Sequence, residues 1–184
     1  MRVFLLSFMD FVGGGILAFD KPYRWTSFDV VGKARWLLCH KLGVKKLKVG
    51  HSGTLDPLAT GVVVVCTGKK KKLIDQLQAK KKEYVATLQL GATTPSFDLE
   101  KEIDATYPTE HITRALIEEV IPTFVGEQWQ VPPMFSAVKV DGKRAYKLAR
   151  KGEEVELKPK LLVIDEIEIL DFVKASMQLT IRVV

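Results

Sequence analysis

The sequence predicts one domain of mixed α and β structure, in which strands interleave with helices, and three observations lead there. A length of 184 residues is that of a single ordinary domain, long enough to bury a core and short for two. With 47% hydrophobic and 27% charged residues, the composition departs from the signature of disorder, and no apolar run has the length of a membrane span. Period-two patterns alternate along the chain with three-to-four-residue patterns, and no fixed-length repeat appears.

At the N-terminus, Val3 to Met9 follows Arg2 like the start of a secretory signal. The apolar run is short, Asp10 interrupts it, and Gly13-Gly14-Gly15 stands where a cleavage site would be needed. Residues 1–14 are therefore expected to be an extension, with the domain proper over residues 15–184. Ile16 to Phe19 reads as a strand ended by Asp20-Lys21-Pro22, because proline cannot continue a paired central strand. From Ser27 as N-cap, Val30, Val31, Ala34, Leu37 and Leu38 mark an amphipathic helix running to Gly43. Gly50 to Gly61 holds three glycines and a proline in twelve residues and reads as a loop. Val62 to Val65 are four consecutive β-branched residues and, with Cys66, predict a strand buried on both faces.

Lys69 to Gln78 is expected to be a short basic helix, and Glu83 to Leu90 a half-buried alternating strand. Thr93 to Glu110 reads as an acidic loop, Thr113 to Ile121 as a helix stopped by Pro122, and Val131-Pro132-Pro133 as an extended linker. Phe135 to Val140 suggests a strand with a tight turn at Asp141-Gly142, followed by a short helix from Lys143 to Lys151. Leu161 to Leu170 and Met177 to Val184 complete the set as strands, the last one half-buried.

Cys39 and Cys66 are too few for a disulfide framework or a metal cluster, so a reducing, cytoplasmic setting is expected. The net charge of +6 is unevenly spread. Between Lys45 and Lys82 stand ten lysines against Asp56 and Asp75, a net +8, while the rest of the chain sums to −2. Such a stretch suits a polyanion-binding face, since each phosphate met by a lysine releases condensed counterions; a solvated basic surface fits the charge equally well.

The loop containing Asp56 joins one carboxylate to His51, hydroxyls and glycines that let backbone approach a ligand. That carboxylate could be a nucleophile, a general base or the cap of a turn. Gly50-His51-Ser52-Gly53-Thr54-Leu55-Asp56-Pro57-Leu58-Ala59-Thr60-Gly61 resembles the signature loop of the TruB-type tRNA pseudouridine synthases, G-H-x-G-x-L-D-P-x-A-x-G. Asp20-Lys21-Pro22 with Trp25-Thr26-Ser27 resembles the family's N-terminal motif, and Lys82-Glu83-Tyr84 its K-x-Y motif. Pro133 to Lys139, with Gly142 to Tyr146 and Ala149-Arg150, resembles a further block.

The resemblance implies an α+β fold, a mixed, largely antiparallel sheet flanked by helices, and isomerisation of a uridine to pseudouridine in the T-loop of tRNA, at position 55. It implies no cofactor and no metal, tRNA bound through its T-arm as the partner, no membrane or protein partner, and a monomer. Asp56 matches the aspartate that acts as nucleophile in detaching the base; whether it attacks sugar or ring, or works as a base, stays open. Tyr84 matches the tyrosine that stacks on the flipped base and could also serve in proton removal. His51 matches a substrate contact holding the T-loop, with a hydrogen bond inside the loop as the plainer alternative. Lys21 and Pro22 match supporting positions beside the catalytic loop. Lys72 matches a substrate-binding basic position, although Lys70 and Lys71 stand where the family has alanine and threonine.

One departure bears on activity. In relatives the last strand leads into a motif like C-S-x-G-T-Y-I-R, whose arginine pairs with the catalytic aspartate and favours its charged form. That motif does not occur in the 184 residues. Asp98 matches an acidic residue that positions this arginine, and so is left without its expected partner. The expectation is a catalytic domain lacking its last active-site motif and any C-terminal RNA-binding region, with essentially no turnover by this chain alone. Two alternatives stand beside it. One is the guide-RNA-dependent branch of the superfamily, against which the Leu58-Ala59-Thr60-Gly61 continuation argues. The other is a non-catalytic tRNA-binding or RNA-chaperone remnant.

Overall fold

The computed structural model describes residues 10–133, 138–140, 143–145, 148 and 156–184. Most of the block from Pro133 to Arg150, and of the helix expected from Lys143 to Lys151, lies outside them. The chain divides after Lys80 into two units.

The first unit is a three-stranded antiparallel sheet covered by one helix. β1 (Ile16–Lys21) is followed by α1 (Ser27–Leu42), β2 (Val49–His51) and β3 (Gly61–Thr67), in the spatial order β1-β3-β2. Ile16 pairs with Cys66 and Lys21 with Gly61, while Val49 pairs with Thr67. The core is made by Leu17 and Phe19 of β1, Val30, Val31, Ala34 and Leu38 of α1, and Val49, Val63 and Val65 of the other strands. Phe11, in the stretch expected to be an extension, is also in this core, and the amide of Gly15 donates to the Thr67 hydroxyl at 2.9 Å.

Three expectations for this unit need correction. The N-cap of α1 is Thr26, not Ser27: its hydroxyl accepts from the Asp29 amide while the Asp29 carboxylate accepts from the Thr26 amide, a capping box that leaves Ser27 free for another task. Gly43 closes the helix in the left-handed conformation (φ 64°). β3 is buried on both faces only toward its Cys66 end: Cys66 is fully buried, but on the same face Val62 is 67% exposed and Val64 half-buried, whereas Val63 and Val65 point into the core shared with α1. The basic segment is mainly a 3₁₀ stretch, Gly68–Leu73, that passes into a one-turn helix, α2 (Ile74–Gln78).

In the second unit, β4 (Tyr84–Gln89) is an edge strand among the described residues and is exposed along its whole length, not half-buried. Alternation reports which face a strand could bury, and only packing decides whether anything lies on it. The expected acidic loop contains a short antiparallel pair, β5 (Ala92–Thr93) with β6 (Ala105–Thr106). α3 (Arg114–Val120) is capped by the Thr113 hydroxyl and continues as a 3₁₀ turn, Ile121–Phe124, that accepts Pro122 in its first turn. β7 (Gly126–Gln130), which carries no clear strand pattern in sequence, is paired, and β8 (Lys139–Val140) pairs with β9 (Lys143–Arg144).

The strand expected over Leu161 to Leu170 is two strands, β10 (Lys160–Ile164) and β11 (Ile167–Val173), broken at Asp165-Glu166. β10 pairs with β7, whereas β11, β12 (Gln178–Val183) and β4 form a sheet in that order. All pairings among the described residues are antiparallel. The fold is thus α+β, as expected. No helix among the described residues is long and apolar enough to cross a membrane.

Candidate active site

The loop between β2 and β3 is shaped by its glycines and held by two buried polar side chains. Gly53 (φ 98°) and Gly61 (φ 124°) take backbone conformations that side chains rarely tolerate, which lets the chain leave β2 and re-enter β3 sharply. The Ala59 amide donates to the Asp56 carbonyl at 3.0 Å, closing a turn around Pro57.

Either side of Asp56 is anchored. On the Leu55 side, the Ser27 hydroxyl accepts from the Leu55 amide at 2.9 Å and donates to the Leu55 carbonyl at 3.3 Å, and Ser27 is 1% exposed. One hydroxyl thus satisfies both backbone groups of the residue before Asp56. On the Pro57 side, the fully buried Lys21 donates through Nζ to the carbonyls of Trp25, Pro22 (3.1 Å) and Pro57 (3.4 Å). The Arg24 amide also reaches the Pro57 carbonyl, at 2.7 Å, from a left-handed residue (φ 66°). Burial pushes the Lys21 pKa below the usual lysine value, and the Asp56 and Asp29 carboxylates oppose that shift. Asp56 itself is exposed. The arrangement is a carboxylate presented to solvent on a backbone fixed from both sides, with a buried ammonium inside its field. Such fixed geometry is what a nucleophile or base acting on a bound ligand needs.

The other expected site residues fall in two places. His51, at the end of β2, hydrogen-bonds through Nδ1 to the Gly53 carbonyl inside the same loop; since a carbonyl only accepts, Nδ1 carries the proton and Nε2 is the ring nitrogen left for another partner. Lys72 is exposed on the 3₁₀ stretch of the same unit. Tyr84 and Asp98 belong to the second unit. Tyr84 opens β4 opposite Val183 and is 48% exposed. Its neighbour Glu83 pairs at 2.9 Å with Arg182, which also meets Glu166 at 3.1 Å and Glu168 at 3.4 Å; these carboxylates hold the guanidinium pKa above its already high ordinary value. Asp98 lies in an exposed turn, where its Oδ1 accepts from the Glu100 amide at 2.9 Å and its carbonyl from the Thr94 hydroxyl at 2.7 Å.

Sequence reasoning missed Ser27 as a site residue. The available signal was the capping box: once Thr26 and Asp29 cap the helix, a second buried hydroxyl at Ser27 needs another partner.

Comparison with known proteins places this geometry in context. The chain is 69% identical over 163 residues to tRNA pseudouridine synthase B of Phocaeicola vulgatus, covering 89% of this chain and 69% of that protein. It is 65% identical to the protein of the same name from Bacteroides thetaiotaomicron (95% and 73% covered) and 52% identical to that of Flavobacterium johnsoniae (87% and 70%). Among solved structures, a chain of a Cbf5-Nop10-Gar1 complex aligns with a TM-score of 0.63 at 26% identity, covering 94% of this chain. A chain of an H/ACA RNP bound to a substrate RNA containing 2'-deoxyuridine aligns at 0.58 and 22% identity, a likeness of fold. This chain spans about two-fifths of the length of those two, 39% and 38%. The model of the TruB family pseudouridylate synthase N-terminal domain matches residues 40–184, which include His51, Asp56, Lys72, Tyr84 and Asp98. On that match and those identities, the chain belongs to the TruB family of pseudouridylate synthases.

Proposed function

We propose that the chain supplies the catalytic loop of an enzyme that isomerises uridine to pseudouridine in tRNA, at position 55 of the T-loop. Asp56 is the nucleophile in this reading. The reaction breaks the C1'–N1 glycosidic bond, forms C1'–C5, releases the proton of C5 and returns one to N1, so it is redox-neutral and needs no cofactor. The observation that carries the reading is the double anchoring of Asp56, through Leu55 to Ser27 and through Pro57 to Lys21. By its match to the K-x-Y motif, Tyr84 is assigned the ring on which an extruded base stacks, and His51, by its place in the signature loop, a contact to the RNA. High identity across most of the chain to proteins named tRNA pseudouridine synthase B supports tRNA as the substrate.

The test is tritium release from tRNA labelled at C5 of uridine. It is run with the 184-residue chain and with the same chain joined to the C-terminal part of the Phocaeicola vulgatus relative. The joined protein is expected to turn over and the chain alone to bind tRNA without measurable release. Asp56→Asn in the joined protein should abolish release while changing tRNA affinity less than about twofold, because the loop backbone is held by residues other than Asp56. Release that survives Asp56→Asn would refute the assignment. Binding without release by every form would favour an RNA-binding module.

A further inference from the structure

The basic stretch between Lys45 and Lys72 folds into one place in the first unit. Leu47 and Val49 are buried, so the alternation of an extended segment turns Lys46 and Lys48 outward. The 3₁₀ stretch adds Lys69, Lys71 and Lys72, all exposed. These five lysines wall a recess of about 460 Å³ floored by Val12, Leu47 and Gly68, and among the described residues none that lines it is acidic.

The walls are fixed by backbone. The Gly68 amide donates to the Lys48 carbonyl at 2.9 Å and the Lys69 amide to the Gly13 carbonyl at 3.1 Å. Gly68 is left-handed (φ 52°), and a Cβ there would lie 2.3 Å from the Val12 carbonyl oxygen, so only glycine lets the three segments meet this closely. One of these lysines also lies beside the start of the candidate active-site loop. The Lys71 side chain lies over Gly50, where an added Cβ would be 3.1 Å from its Cε, and Gly50 directly precedes His51.

We propose that this recess is a second contact for the RNA, gripping backbone phosphodiesters away from the base that reacts, with Lys46, Lys48, Lys69 and Lys71 acting beside Lys72. It rests on the reading of the chain as an RNA-modifying enzyme. Five ammonium groups around one concavity repel one another, and a phosphate relieves that repulsion while displacing condensed counterions. Among the described residues the wall offers lysines, with no arginine, asparagine or glutamine fork to read a base edge. It therefore positions RNA without selecting sequence, and steadies the strand while one base leaves its stack.

The test is the salt dependence of binding between the 184-residue chain and a tRNA transcript, measured by filter binding. Each lysine that meets a phosphate contributes about 0.9 to the slope of log K against log salt. Replacing Lys46, Lys48, Lys69 and Lys71 by Gln should lower the slope by about 3 to 4, equally for tRNA and for an unrelated RNA of the same length. The matching four Lys→Arg replacements should keep the slope near the starting value, and Lys158→Gln with Lys174→Gln in the second unit should leave it unchanged. A four-Gln variant with unaltered circular dichroism and an unaltered slope would overturn the recess while the proposed function stands. Failure of the unsubstituted chain to bind tRNA would overturn both. A four-Gln variant that does not fold passes the question to the pairs Lys46→Gln/Lys48→Gln and Lys69→Gln/Lys71→Gln, each expected to lower the slope by about 2 and refuting the recess if neither does.

Discussion

Ser27 commits one hydroxyl to both backbone groups of Leu55, so its removal strands a donor and an acceptor in a nearly dry place. Ser27→Ala should cost about 1–3 kcal/mol in urea unfolding, the penalty of unsatisfied buried polar groups. In the joined protein, given the turnover proposed for it, the change should lower kcat more than it raises KM, because it loosens the residue beside Asp56 without touching substrate. Lys21 makes a pH prediction. Its folded pKa lies below the unfolded value, so between the two the unfolded chain binds more protons and stability rises with pH. Lys21→Met should lack this rise on the alkaline side up to about pH 10.4, where free lysine titrates. Comparing the two unfolding curves across that range checks it. Asp56 and His51 were legible in sequence because one contiguous loop carries them. Ser27 was not, because two adjacent hydroxyl residues compete for the cap and only the fold assigns each a partner.

The first helix and the 3₁₀ stretch each depend on one local device. In α1 the bonds from Thr26 hold the Asp29 carboxyl below its usual pKa. That stabilisation is present above about pH 4, where an unfolded Asp is ionised, and is lost as pH falls through the lowered folded value. Thr26→Ala should cost about 1 kcal/mol at neutral pH and less in strong acid, where the hydroxyl's bond to the Asp29 carboxylate is weakened while the bond it accepts from the Asp29 amide remains, read by thermal melts at both. At the head of the 3₁₀ stretch, Gly68→Ala combines a left-handed residue, worth about 1–2 kcal/mol, with a contact to the Val12 carbonyl that the backbone must move to relieve. It should lower the melting temperature by more than Gly32→Ala, since a Cβ at Gly32 meets nothing within 4 Å. The sequence located α1, β1, β3, β4 and β12 within a few residues. It missed β7, because Gly-Glu-Gln-Trp-Gln has no alternation to show and is a strand only because β10 lies beside it. It fused β10 with β11, because the apolar pattern runs on through a break that the two different partner strands impose.

At the scale of the whole molecule, charge is segregated: a net +8 between Lys45 and Lys82 against −2 elsewhere. Five of those lysines converge on one recess, so tRNA affinity should fall about 10²–10³-fold between about 50 and 200 mM salt, which filter binding at several salt concentrations would show. The sequence by itself determined the family, the loop that carries Asp56 and the excess of positive charge, because each is written in contiguous residues whose identity is the signal. Only the tertiary structure decided what holds Asp56 in place and where the lysines meet. Ser27 and Lys21 reach Leu55 and Pro57 across 28 and 36 positions of chain, and Lys48 reaches Gly68 through strand pairing, so these contacts exist only once the sheet has brought distant segments together.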